Sequence, residues 1–310
     1  MTALICGSFA YDNIMVFPDQ FKNHILPDKV HMLNVCFLVP DMRREFGGCA
    51  GNIAYNLNLL GGDGKPMGAV GQDFAPYAEW MTKKQISQEF LLPVSDAFTA
   101  QAFITTDLDD NQITAFHPGA MNHAHEQVIP TDAGISLGLL SPDGRDAMLQ
   151  HAEQFNAAGI PFVFDPGQGL PMFNGEELLR FIELAEYVTV NDYESQLLQE
   201  RTGLSEAVIA QRVKALIVTR GAEGSVVYTA DETLQIPAVS VADIKDPTGC
   251  GDAYRAGLIF GLMKGVDWQT TCRIASLMGA IKIAHHGTQN HYFTMAEFAD
   301  QFEQAFSYRF

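Results

Sequence analysis

Between residues 135 and 219 four unbroken apolar runs, Ile135–Leu140, Pro161–Asp165, Tyr187–Asn191 and Ala215–Thr219, alternate with helical stretches such as Asp146–Ala158 and Gly175–Ala185. Strands buried on both faces read as continuous apolar runs, and parallel neighbours need a crossover helix between them. The alternation therefore predicts an α/β chain with a mostly parallel sheet covered on both faces. In such sheets ligands sit beyond the carboxyl ends of the strands. The segments placed there are Asp165–Gly169, Asn191–Glu194 and Thr219–Gly224, together with Gly7–Asp12 after a first strand at Thr2–Gly7.

The N-terminal half reads differently. In F-G-G-C-A-G-N-I-A-Y-N-L-N-L-L-G-G, Ile53, Leu57 and Leu60 stand at i, i+4 and i+7, an amphipathic helix opened by glycines and closed by Gly61-Gly62. From Asn13 to Arg44 helical periodicity is lacking, and Val30–Val39 reads as extended; residues 98–117 read as a hairpin turning at Asp109-Asp110-Asn111. The two extended pieces, 13–44 and 96–122, are expected to form one small β lid on a large domain built from 1–12, 45–95 and 123–310. A chain of 310 residues, 47% hydrophobic, can bury one sizeable core.

A net charge of −18 argues against nucleic acid or an anionic membrane as partner. The five cysteines are odd in number and scattered, which reads as reduced thiols in a cytoplasmic protein. No basic segment followed by an apolar one opens the chain and no 18-residue apolar run occurs, so neither a signal peptide nor a membrane span is expected.

Against that acidic background, D-P-T-G-C-G-D-A-Y-R-A-G (Asp246–Gly257) is a glycine turn leading into an apolar helix. Backbone N–H groups at such a turn make an anion site. The familiar phosphate loops do not fit. A P-loop needs G-x-x-x-x-G-K-[ST], but Gly64-Lys65 is followed by Pro66 and has Leu59 at the first position, so it reads as a loop after a helix. The first strand ends in G-S-F-A-Y-D rather than G-x-G-x-x-G, which disfavours a nicotinamide dehydrogenase. Phosphoryl transfer needs an anion cradle and a base for the attacking hydroxyl. Asp252, in the first helical turn, suits the base; the N–H groups of Gly249, Cys250 and Gly251 suit the cradle. The plainer reading is that Asp252 merely caps a helix.

The motif resembles the C-terminal signature of the ribokinase-like (PfkB) family of sugar and nucleoside kinases, usually D-T-x-G-A-G-D-x-F. F-G-G-C-A-G-N-I-A (Phe46–Ala54), followed by G-A-V-G-Q-D (Gly68–Asp73), resembles its N-terminal signature. V-N-D-Y-E matches its N-x-x-E at Asn191 and Glu194, and V-T-R-G-A-E-G (Val218–Gly224) resembles its nucleotide-binding strand end. The four occur in family order over nearly the whole chain.

That resemblance implies a three-layer α/β/α fold with a small β lid, and assigns roles residue by residue. Asp252 becomes the base and Gly249 to Gly251 the anion hole. Asp12, Gly48 and Asn52 would bind sugar hydroxyls; taken alone, Asp12 reads as a turn cap and Asn52 as a helix cap. Asn191 and Glu194 would order water around Mg²⁺. Thr219, Gly221 and Gly224 would lie along ATP, and the segment from Ala280 to Gln289 would flank the adenine. Asp246 is the candidate ligand for a monovalent cation such as K⁺. Three departures bear on these roles. Pro247 replaces a Thr beside Asp246, Cys250 replaces an Ala, and D-P-G-Q-G-L (Asp165–Leu170) lacks an arginine that many relatives carry nearby, so a phosphate there is held by Gln168 or not at all.

His285, His286 and His291, with His123 and His125, lack the acidic or Cys partners of a metal cluster. Phe37, Phe98, Phe103 and Phe116 populate the lid, where they either form its core or face a base; Phe103 and Phe116 are the candidates for the base. H-M-L-N-V-C-F-L-V-P and A-F-H-P-G-A-M are similar to the nucleoside kinase branch. The expected activity is an ATP-dependent, adenosine kinase-like nucleoside kinase, acting as a monomer or homodimer, with a ribokinase- or fructokinase-like sugar kinase as the alternative.

Overall fold

The computed structural model describes residues 1–25, 34–109 and 111–310. Among these residues nine strands form one sheet in the order β13-β12-β11-β10-β9-β8-β1-β4-β5. Its parallel part is β1 (Thr2–Cys6), β4 (Asp63–Gly71), β5 (Phe90–Val94), β8 (Ile135–Leu140), β9 (Phe162–Phe164), β10 (Tyr187–Asn191) and β11 (Ala215–Thr219). A terminal pair, β12 (Ser225–Tyr228) and β13 (Thr233–Ile236), is added antiparallel. The buried Val and Ile runs of β10 and β11 explain why these strands sit inside the sheet, covered on both faces.

Two cores flank that sheet. On one face α1 (Cys49–Leu59), α7 (Cys250–Lys264), α8 (Trp268–Ile283) and α9 (Met295–Phe306) bury Ile53, Leu57, Ile259 and Phe298. On the other, α3 (Arg145–Ala157), α4 (Gly175–Leu184) and α5 (Asp192–Thr202) bury Met148, Phe181 and Leu198. Helices α7 and α8 pack closely because Gly257 leaves room; a Cβ there would lie 2.5 Å from the Ala275 Cα.

A second sheet, in the order β3-β2-β6-β7, is built from β2 (Ala10–Val16), β3 (Asp41–Gly47), β6 (Ala100–Thr106) and β7 (Gln112–His117). It therefore begins at Ala10 and takes in Gly47. Strands β6 and β7 are antiparallel, as a hairpin requires; Asp110 of the expected turn lies outside the described residues. Of the extended stretch Val30–Val39, residues 30–33 also lie outside them, and 34–39 belong to no strand. The Gly64-Lys65 pair is in β4 rather than a loop. Glycines and Pro66 disguise this strand, but Gly68 and Gly71 are where other backbone comes close: a Cβ would lie 2.4 Å from the Gly7 carbonyl and 2.1 Å from the Thr99 nitrogen.

Candidate active site

A cleft of about 1200 Å³ opens between the carboxyl ends of the large sheet and one face of the small sheet. Its floor is the start of α7. Gly249 takes a left-handed conformation (φ 78°, ψ 3°), turning the chain into the helix, and a Cβ there would press on Thr288 at 3.0 Å. Asp252 follows in the first turn, and Gly249, Cys250, Gly251 and Asp252 all line the cleft. The Cys250 N–H donates to the Pro247 carbonyl at 3.2 Å, so it belongs to the turn rather than to a cradle. Among the three N–H groups expected to hold an anion, those of Gly249 and Gly251 remain.

Asp252 is not a helix cap, since Gly249 is the N-cap. Its Oδ2 accepts a 2.8 Å hydrogen bond from the Asn52 amide, whose Oδ1 in turn accepts from Gln289 Nε2 at 3.0 Å. Gln289 is fixed by the Tyr77 hydroxyl (2.6 Å) and by the indole N–H of Trp80 (2.9 Å). Burial pushes the Asp252 carboxyl up to about 6, with the Asn52 hydrogen bond opposing that rise and Asp165 adding to it. A carboxylate poised near 6 is largely ionised at neutral pH and still basic enough to accept a proton. Asn52 itself lies within α1, whose N-cap is Gly48 (φ 86°), so it caps nothing. Gln289, expected beside adenine, is buried in this network instead; Ala280 and Ile283 of the same segment do line the cleft.

Beside Asp252 lies a charged cluster that sequence reasoning missed. Arg255 Nε and Nη2 grip the Asp165 carboxylate at 3.1 and 2.9 Å, and Nη2 stands 4.0 Å from Glu194. Both Arg255 and Asp165 are buried. Burial alone would lower the Arg255 pKa, but Asp165 and Glu194 raise it further and keep the guanidinium charged. A guanidinium thus does stand in the D-P-G-Q-G-L region, supplied by α7 rather than by that loop. Its signal was an arginine stranded inside the apolar run Ala253–Phe260.

Asn191 and Glu194 form a capping box on α5: Glu194 N–H donates to Asn191 Oδ1 at 2.7 Å, and Asn191 N–H to Glu194 Oε2 at 2.8 Å. Both side chains also line the cleft, as do Thr219, Gly221 and Gly224 at the end of β11. Gly224 (φ 87°) could not be replaced without clash, because a Cβ would lie 2.0 Å from the Ile236 carbonyl.

The lid carries Asp12 and Phe116. In register, Asp12 pairs Ala102, which pairs Phe116, so all three share one face, the face toward the cleft. Phe103 pairs Asn13 and Ala115 and therefore points to the opposite face, 42% exposed. The expectation that Phe103 could meet a base is corrected by this alternation. Phe37 packs on Phe17 and Phe21 in the lid's own cluster. Asp12 has no side-chain hydrogen-bond partner among the described residues; burial pushes it up to about 6, helped by Glu45 and Asp246. Gly47 makes room for it, since a Cβ would stand 2.6 Å from Asp12 Oδ2.

Two further residues are set by their surroundings. At Cys250 burial pushes the thiol up to about 11, overriding the helix N-terminus that should have lowered it. Asp246 does not line the cleft; its carboxylate accepts the Thr248 and Gly287 N–H groups, each at 2.9 Å, and its carbonyl accepts Lys282 Nζ. Among the described residues no His, Cys, Asp and Glu cluster suits a metal held by protein alone. His291 hydrogen-bonds Asn56, and His285 the Ile281 carbonyl.

Residues 19–294 match the family described as pfkB family carbohydrate kinase. A nucleoside kinase of Methanocaldococcus jannaschii is 31% identical over 274 residues, spanning 87% of this chain and 90% of that protein. The Burkholderia thailandensis nucleoside kinase, solved in complex with inosine, superposes with a TM-score of 0.91 at 54% identity over 99% of both chains. The same enzyme solved with ADP and inosine superposes at 0.88 with 56% identity, covering 99% of this chain and 97% of that one. With its two signatures brought into one cleft, this chain is a member of the pfkB carbohydrate kinase family, with the ribokinase-like fold.

Proposed function

We propose that the protein is an ATP-dependent nucleoside kinase that transfers the γ-phosphoryl of ATP to the ribose 5′-hydroxyl of a purine nucleoside, adenosine and inosine among them. The observation that carries this reading is one cleft holding three things: the Asp252 carboxylate, the α7 glycine turn, and a small-sheet face that sets Asp12, unpartnered among the described residues, beside the aromatic ring of Phe116. The relatives at 30% identity or more, among them those covering 87%, 98% and 99% of the chain, are nucleoside kinases, and one was solved with inosine; ribokinases and fructokinases match at lower identity.

Asp12 accepts two hydrogen bonds from a vicinal diol, as an ionised carboxylate can. Asn52, already committed to Asp252 and Gln289, aims the base and presents its amide beside the sugar. Phe116 offers its ring to the base moiety. As the acceptor oxygen attacks the γ-phosphorus, its proton passes to Asp252; the new O–P bond forms while the bond to the β-phosphate oxygen breaks, releasing ADP. The N–H groups of Gly249 and Gly251, at the positive end of the 15-residue helix α7, stabilise the charge on the moving phosphoryl group.

Among the described residues Asp12, Asp143, Asp165, Glu194 and Asp252 line the cleft against Arg255 as its one basic lining residue, five carboxyl groups to one guanidinium, so a triphosphate needs a divalent cation with it. Mg²⁺ takes oxygen ligands and keeps waters, which suits Glu194, whose capping box engages one carboxylate oxygen; Asn191 Oδ1 is already occupied. The cation would supply charge neutralisation on the transferring phosphates. Thr219, Gly221 and Gly224 border the nucleotide, and Ala280 the adenine. Five free cysteines suit a cytoplasmic enzyme, as monomer or homodimer. Incubation with ATP, Mg²⁺ and adenosine, with the product identified by mass spectrometry and phosphorus NMR, should give the 5′-monophosphate. No ADP release with any nucleoside or sugar would reduce the protein to a nucleotide-binding member without catalysis.

A further inference from the structure

Lys282 is the one buried lysine among the described residues, with no exposed surface at all. It stands one residue before the end of α8, and its ammonium is held by backbone rather than by a carboxylate. Nζ lies 2.7 Å from the Asp246 carbonyl and 3.2 Å from the His285 carbonyl. Around it the two chain segments are tied together. Lys245 and Asp246 N–H groups donate to the Ile283 carbonyl at 2.9 and 3.2 Å, and the Gly287 N–H donates to the Asp246 carboxylate. The other carboxylate oxygen of Asp246 takes the Thr248 N–H, the residue before the glycine turn.

Burying an ammonium is expensive, and a methionine of similar length would fill the same space without that cost. What the ammonium adds is a fixed positive charge and two carbonyl contacts at the base of the anion turn. Carbonyl oxygens gathered around a small monocation are how proteins hold potassium or ammonium ions. Here the cation is covalently attached to α8.

We propose that the Lys282 ammonium is a built-in monovalent cation: it locks Asp246–Thr248 so that the Gly249 and Gly251 N–H groups face the cleft, and it makes phosphoryl transfer independent of any free monovalent ion. The inference rests on the kinase reading above. Lys282 is a positioning residue, acting on the transferred group through the turn. It occupies the backbone acceptors that a K⁺ ion at Asp246 would use.

The test compares the wild-type protein with Lys282→Met in potassium, ammonium and tetramethylammonium chloride at one ionic strength, reading nucleoside phosphorylation and thermal melting. The wild type should turn over at the same rate in all three salts, within about twofold, and melt at one temperature. Lys282→Met should lose about 10²-fold in kcat in tetramethylammonium, the scale of a misplaced reacting group, and recover in potassium or ammonium. Its melting temperature should rise with those two ions and not with tetramethylammonium. A wild type that needs potassium would overturn the proposal, as would a folded Lys282→Met that is fully active in tetramethylammonium or is rescued by neither ion. Should Lys282→Met not fold, the wild-type comparison decides alone. If the wild type phosphorylates no nucleoside, the kinase reading fails instead, and the melting series still reports whether potassium or ammonium takes the ammonium's place.

Discussion

The Asn52 amide donates to the Asp252 carboxylate at 2.8 Å, joining residues 200 positions apart in the chain. One belongs to the N-terminal signature and the other to the C-terminal signature, so this hydrogen bond ties the two motifs into one device. It also opposes the rise that burial imposes on the Asp252 pKa. Asn52→Ala removes that opposition, and the folded-state pKa of Asp252 should climb above its value of about 6. The base is active when ionised, so the acid limb of the kcat profile should move to higher pH. A pH–rate series on the two proteins measures this, and an unmoved limb would detach Asp252 from it.

Asp252→Asn keeps the size of the side chain and can still meet Asn52, but it cannot accept the proton. Loss of general-base catalysis costs about 10²–10⁴-fold, and it should appear in kcat while the nucleoside Kd changes little. Calorimetric titration beside steady-state kinetics separates the two quantities. Activity within a few-fold of the parent would remove Asp252 from its role.

Cys250 gives a prediction opposite to the one its sequence position suggests. With its thiol pushed up to about 11, it is almost wholly protonated at neutral pH and a poor nucleophile. Iodoacetamide should therefore modify the exposed Cys36 well before Cys250, as peptide mass spectrometry can follow. Cys250→Ala should remain active, since the backbone turn needs no thiol. Rapid alkylation at Cys250 with parallel loss of activity would contradict the burial argument.

Arg255→Met would leave Asp165 a buried carboxylate without its partner, a loss that typically costs about 3–5 kcal/mol. Chemical denaturation should show a large drop in stability for Arg255→Met, with Asp165→Asn also destabilised and the double variant partly restored. Equal, additive losses in both single variants and their double would mean that the pair is not coupled.

Much of the fold was legible because the apolar runs of β8, β10 and β11 carry their own boundaries: Ile135–Leu140, Tyr187–Asn191 and Ala215–Thr219 are the strands of the structure. β4 was not, because its glycines serve close backbone approach and suppress the β signal. Gly249, Asp252, Asp12 and Glu194 all line the cleft, and type, local spacing and family resemblance are enough to single them out in the sequence. Arg255 and Lys282 could not. Their roles depend on partners far along the chain, Asp165 and the Asp246 carbonyl, and each looks locally like a charge misplaced in an apolar helix. Gln289 is no more legible, its partners Asn52 and Tyr77 lying over 200 residues away. Phe103 and Phe116 could be separated only by the pairing register.

The most direct measurement is the ratio of kcat/KM for adenosine and inosine to that for free ribose and fructose, in the wild type and in Phe116→Ala and Phe103→Ala. A base stacked on one ring contributes about 1–3 kcal/mol, or about five- to 150-fold. The wild type should favour the nucleosides by at least that margin. Phe116→Ala should erase most of it, and Phe103→Ala, on the far face of the lid, should leave it in place. Ribose or fructose phosphorylated by the wild type as efficiently as adenosine and inosine would contradict the nucleoside assignment and make the protein a sugar kinase.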